Sequence, residues 1–211
     1  MTHHPPTPQP LSRWERALLV VTLIASLALR LDALNMFLTI DEPTWAGRSQ
    51  RFAKALASGD LAKTYQSEHP GVLTMWIGAA AARLSDGGAA PMTLRLPTEP
   101  EAAKPFPSLT WWARRGVAIL TWLGIVGLWA LLRRLIGPRP ALWAAILVAL
   151  DPFYLAHSRV HHLDAILTTL MALSAASLMV YLQWGGHEGR RHEDGAMGGH
   201  EGRRHEDGAM G

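Results

Sequence analysis

AILTTLMALSAASLMVYLQW, residues 165–184, is twenty residues without a charge. At 1.5 Å of rise per residue, a helix of that length covers the ~30 Å of hydrocarbon in a bilayer. This run predicts a membrane-spanning helix and sets the frame for the rest of the chain. A second such run, Gly116–Leu132, ends in Arg133-Arg134 and the turn Gly137-Pro138-Arg139-Pro140. Ala17–Leu29 is a third, reaching membrane length if Trp14 and the residues to about Leu34 are counted, with Arg13 and Arg16 ahead of it. Ala141–Leu150 is shorter and spans only if Phe153–Ala156 continue it past Asp151; alone it reads equally as re-entrant or as a buried helix. The expected fold is therefore all-α: about four transmembrane helices, with a long external loop carrying interfacial helices.

The composition agrees with that frame. Hydrophobic residues make up 49% of the chain, but most of the charges crowd into the N-terminal segment, residues 41–115 and the stretch after Trp184. The net charge of +3 comes with no basic stripe interleaved with aromatics, so nucleic acid is not an expected partner. There are no cysteines, which excludes disulfides, thiolate metal sites and thiol nucleophiles.

Charge sets the expected topology. The short turn with Arg133, Arg134 and Arg139 belongs in the cytoplasm, as do Arg13 and Arg16. The loop from Asn35 to Trp112 and the segment from His157 to Asp164 then face outside. Within the long loop, Asp41–Ala57 reads as an amphipathic helix with Thr39 as a cap, and a second helix starts near Pro70. Ser85–Pro107 reads as loop. Gly186–Gly198 (GHEGRRHEDGAMG) recurs unchanged as Gly199–Gly211, a Gly-rich charged repeat that cannot bury a core. Two regions are expected: a membrane part over 1–184 and a disordered repeat tail over 185–211. A chain that stops directly after its fourth span also reads as the N-terminal fragment of a longer protein, inactive by itself.

Three polar clusters fall on the expected external side. Asp41-Glu42 follows the first span, and adjacent helical carboxylates diverge by about 100°, so they are no dyad. One can face a cavity as a base or cation ligand while its neighbour caps; both can equally be a helix-start acid pair. Glu68-His69-Pro70-Gly71 lies in the loop. Arg159, His161, His162 and Asp164 sit before the last span, where an ionisable group is costly unless paired or wetted. Arg159 can pair with Asp164 or face a phosphate. His157 and His161 have metal-pair spacing if their segment is helical. Arg114-Arg115, beside Trp111-Trp112, suits a lipid phosphate or a simple interface anchor.

The order of these motifs carries a resemblance. IDEPTWAGRSQRF (Ile40–Phe52), EHPGVLTMW (Glu68–Trp76) and SRVHHLDAILTTLMAL (Ser158–Leu173) together resemble the dolichyl-phosphate-mannose protein mannosyltransferases, glycosyltransferase family 39 of the GT-C superfamily. They are also similar to the bacterial transferases that place aminoarabinose on lipid A. Gly71 stands where the family has a second proline. The resemblance implies a multi-pass plasma-membrane enzyme that moves a hexose or pentose from a polyprenyl-phosphate carrier to an acceptor hydroxyl on the external face. It implies catalytic roles for Asp41, Glu42 and Asp164, and substrate contacts by His69, Arg114, Arg115 and Arg159. A divalent cation on Asp41, Glu68 and Asp164 is one arrangement; metal-free catalysis among basic side chains is the other. The competing reading is an integral membrane protein without turnover, a transporter fragment or degenerate copy. The charge-free middles of spans two and four speak against a transporter.

Overall fold

The computed structural model describes residues 9–66, 68, 71–85 and 107–201, with side chains as far as residue 183. Among these residues there is no strand. Seven α-helices run in order: α1 (Arg13–Leu31), α2 (Glu42–Ser58), α3 (Val72–Leu84), α4 (Ser108–Leu135), α5 (Pro138–Leu150), α6 (Pro152–His157) and α7 (Asp164–Glu201).

Two of them are long and apolar enough to cross a membrane: α4, and α7 over Asp164–Gln183. Of the four expected spans, these two have the length and composition to cross a membrane. α1 has the length but carries Arg13, Glu15, Arg16 and Arg30 within its 19 residues. α5 stops after 13 residues because Pro152 disfavours helical backbone at Asp151, whose ψ is 121°. Asp151 then caps α6, its carboxylate accepting from the Tyr154 N–H at 2.6 Å. α7 continues through Glu201, past the first copy of the repeat; residues 202–211 lie outside the described chain.

The helices form an up-and-down bundle. At one end the Arg139 guanidinium in the α4–α5 turn meets Glu15 of α1 at 3.0 Å. In the middle the Trp122 indole donates to the Leu23 carbonyl of α1 at 2.9 Å. Near the other end Ser26 and Arg30 of α1 donate to the Ala149 carbonyl at the close of α5, at 3.2 and 2.9 Å. So α1 and α5 run one way and α4 runs the other, with α7 alongside α4. Asp41, Glu42, Arg114, Arg159 and Asp164 sit at the Ala149 end.

Small residues allow α4 and α7 to approach. A Cβ on Gly124 would stand 2.0 Å from Thr169 Cγ2, inside the van der Waals limit. Gly124→Ala should therefore destabilise the bundle by about 1–3 kcal/mol. Gly47→Ala, where the added carbon would find Arg51 at a comfortable 3.4 Å, should stabilise by about 0.5–1 kcal/mol through helix propensity. Thermal unfolding of the detergent-purified variants checks both; equal shifts in the same direction would refute the packing argument.

Above the bundle end, α2 and α3 pack as a hairpin on α4. Trp45, Phe52, Met75 and Ala79 form its core, with Leu163 laid against them. Ala46, Ala81, Leu109 and Ala113 join α2 and α3 to α4. α2 closes with Gly59 in the left-handed region (φ 70°), whose N–H and that of Asp60 bond back to Leu56 and Ala55. The sequence placed both helices within a few residues. The stretch read as loop over Ser85–Pro107 falls almost wholly outside the described residues.

Candidate active site

Three chain segments meet at one point: the turn after α1, the start of α2 and the turn before α7. What pins them is Glu42. Its side chain is fully buried and accepts five hydrogen bonds. Arg114 of α4 supplies two, from Nε at 2.6 Å and Nη2 at 2.5 Å. The backbone N–H and hydroxyl of Thr39 and the backbone N–H of His161 supply the others. Arg114, itself buried, also donates to the carbonyls of Leu34 and Phe37. A bidentate guanidinium–carboxylate pair of this kind fixes direction as well as distance. Burial by itself would raise the Glu42 pKa; the Arg114 guanidinium and the N–H groups of Thr39 and His161 outweigh it and hold the carboxyl below its usual range.

The two adjacent carboxylates diverge as helix geometry requires. Glu42 points into the core. Asp41, at the N-cap of α2 with no capping bond of its own, is exposed and faces an open pocket. Of about 390 Å3, this pocket is lined by Asp41, Thr44, Trp45, Arg48, His162, Leu163 and Asp164. The His162 ring stands between the acids, with Nδ1 3.1 Å from Asp164 and Nε2 3.8 Å from Asp41. Trp45 holds that ring edge-on, centroids 5.8 Å apart, and Arg48 lies over the Trp45 face at 5.0 Å. Two carboxylates, an imidazole and a guanidinium thus share one solvent-open cavity. Such a set can accept a proton from a hydroxyl and balance the charge of a phosphate.

The other candidates are placed elsewhere. Glu42 and Arg114 bind each other and present nothing to the pocket. Arg115 stacks on Trp111, 3.5 Å from its centroid, and is not among the pocket-lining residues. Arg159 donates to the Asp32 carbonyl at 2.6 Å, closing the end of α1, and does not pair with Asp164. Glu68 is exposed, and His69 lies outside the described residues. His157 ends α6, and residues 158–163 are turn rather than helix, so its spacing to His161 sets up no metal pair. Among the described residues no group of three or more acidic or histidine side chains is arranged to hold a metal ion.

Arg48 was not singled out by the sequence reading, and His162 entered it only as a member of the polar cluster before α7, with no role of its own. A signal existed: Asp41, Thr44, Trp45 and Arg48 follow the i, i+3, i+4, i+7 spacing of one helix face. His162 had no comparable mark, because a turn gives no period to read.

His161 is wholly buried, and that burial lowers its pKa to about 4. A base whose folded pKa is depressed binds fewer protons folded than unfolded between about pH 6.5 and 4, so stability falls as pH falls through that window. Glu42, with its lowered pKa, adds to the loss below its ordinary value of 4.5. Acidification from pH 7 to 4 should therefore cost on the order of 3 kcal/mol through His161. Unfolding midpoints followed against pH should flatten between 6.5 and 4.5 in His161→Gln; an unchanged slope would remove His161 as the cause.

Comparison with known proteins bears on half of this site. Residues 105–188 match the family model described as dolichyl-phosphate-mannose-protein mannosyltransferase. No curated protein and no solved structure matches the chain. The matched segment holds α4 to α6, the spanning part of α7, and with them Arg114, His162 and Asp164; Asp41 and Arg48 precede it. The match thus supports for this segment the family that the motifs resemble, the GT-C, mannosyltransferase-like membrane glycosyltransferases.

Proposed function

We propose that the chain carries the donor site of an inverting glycosyltransferase that takes sugar from a polyprenyl-phosphate carrier. The observation that carries this reading is the convergence of Asp41 and Asp164 from two separate helix starts onto one open pocket that also contains a guanidinium. An acceptor hydroxyl oxygen attacks the anomeric carbon. The bond from that carbon to the phosphate oxygen breaks, and the polyprenyl phosphate leaves with its electron pair. Asp41 takes the hydroxyl proton. Asp164 accepts the Nδ1–H of His162 and fixes the ring beside Asp41, a positioning role. Arg48 balances the charge that grows on the departing phosphate, whereas the resemblance implied substrate contacts by Arg114, Arg115 and Arg159. No step needs a metal ion in this scheme.

In this reading α1 and the α5–α6 pair complete the membrane bundle beside α4 and α7, and the pocket opens on the external face. The polar turn with Arg133, Arg134 and Arg139 then lies in the cytoplasm.

Binding of a polyprenyl-phosphate sugar to the purified chain tests the site without requiring turnover. Arg48→Ala should weaken that binding about tenfold, and Arg48→Lys should recover part of it. Unaltered affinity in Arg48→Ala would take the phosphate out of this pocket.

A further inference from the structure

A second cavity lies apart from the acidic pocket and shares no residue with it. It is a slot of about 390 Å3 where the end of α1 meets α3 and α4, walled by Leu31, Ile77, Ala80, Leu84 and Ile119. Its floor exists because Gly116 brings α4 against α3: a Cβ there would stand 2.6 Å from Ile77. The walls are almost wholly apolar; among the described residues no carboxylate lines them, and Arg115 is the one charged residue that does. Its Nε is buried and finds no hydrogen-bond partner among the described residues. Its guanidinium is fixed against Trp111 and stands 5.4 Å from the Trp112 ring; the two indoles meet edge to face.

Arg115 sits two turns into α4, roughly 10 Å from the helix start at 1.5 Å per residue. Because α4 is membrane-spanning in length and composition, the medium outside an apolar slot on its flank is lipid. Tryptophans at such a level mark the headgroup boundary. An apolar slot at that boundary, with a cation unopposed among the described residues, matches an acyl chain joined to a negative headgroup. A net positive site favours a headgroup of net negative charge over a zwitterion.

We infer that this slot binds one anionic glycerophospholipid, an acyl chain lying between α3 and α4 and the phosphate held by Arg115. The inference rests on the membrane placement of α4 and not on the transferase reading.

The test uses the full chain reconstituted in vesicles of phosphatidylcholine containing a minor fraction of phosphatidylglycerol. After extraction in mild detergent, lipid retained per protein is measured by mass spectrometry. Wild type should retain phosphatidylglycerol in excess of its share. Arg115→Gln should lower that retention about fivefold, the effect of one basic residue at a membrane surface. Arg115→Lys should keep most of it. Ala80→Phe, made at an exposed wall position, should lower it by filling the slot with the charge intact. Retention equal to wild type in either Arg115→Gln or Ala80→Phe overturns the inference. So does preferential retention of a polyprenyl phosphate supplied at the same level as phosphatidylglycerol. Should Arg115→Gln lose its helical circular dichroism, the Lys and Phe variants decide alone. Asp41→Asn should leave retention unchanged, so failure of the transferase reading and failure of the lipid site are separately visible.

Discussion

Asp41→Asn should lower sugar transfer about a thousandfold, measured with labelled polyprenyl-phosphate sugar in membranes from cells expressing the gene at full length. The substitution keeps the shape of the side chain and removes only its capacity to take a proton. Asp41 makes no capping bond and is exposed, so the fold should not notice: helical content and membrane insertion should match wild type. Asp164→Asn should cost less, about ten- to a hundredfold, because in the proposed scheme Asp164 acts through the His162 ring. The two roles also differ in what a second substitution does. With His162 replaced by Ala, Asp164→Asn should cost nothing further, because a positioning carboxylate has no ring left to hold, whereas Asp41→Asn should still cost its full factor. Wild-type rates in Asp41→Asn would end the assignment of the base, and an Asp164→Asn effect undiminished by His162→Ala would end the division of labour.

Glu42→Ala should have the largest effect on stability, about 3–5 kcal/mol. The reason is what it leaves behind. Arg114 is buried, and without Glu42 its guanidinium loses the bidentate carboxylate that takes two of its hydrogen bonds. The N–H groups of Thr39 and His161 lose their acceptor as well. Replacing both partners, as Glu42→Met with Arg114→Met, should recover part of the loss, since an uncompensated buried cation costs more than the absent pair. Recovery is incomplete because the Leu34 and Phe37 carbonyls and the two N–H groups stay unbonded. Glu42→Ala should also weaken donor binding, although Glu42 lines no part of the pocket. It ties the α1–α2 turn, α4 and the turn before α7 together, and with them Asp41 and Asp164. An unfolding midpoint equal to wild type in Glu42→Ala would show that the pair does not hold this corner of the fold.

Much of the architecture could be read from local pattern. The charge-free runs gave α4 and the spanning part of α7, the Arg133–Arg139 turn gave the antiparallel α4–α5 step, and the helical periodicity of Trp45, Phe52 and Leu56 gave α2. What failed locally failed for definable reasons. α1 has the length of a span, but how it accommodates Arg30 was not legible: the guanidinium is buried against Ser26 and the Ala149 carbonyl, a long-range partner no window of sequence contains. The arginines at 48, 114, 115 and 159, of which only the last three were candidates from the sequence, look alike as residue types. One faces the acidic pocket, one is locked to Glu42, one is stacked on tryptophan, and one closes the end of α1.

From the sequence alone came the membrane class, the helix spacing that puts Asp41 and Glu42 on different faces, and the motif order that resembles a GT-C transferase. These are properties of short windows, set by hydrophobic length, by 3.6-residue periodicity and by covalent neighbours. Only the tertiary structure decided which carboxylate is open and which is paired, and that His162 stands between Asp41 and Asp164. Those assignments depend on contacts between residues some 70 to 120 positions apart, where burial and a single guanidinium determine whether a charge is available for chemistry or used up in holding the fold.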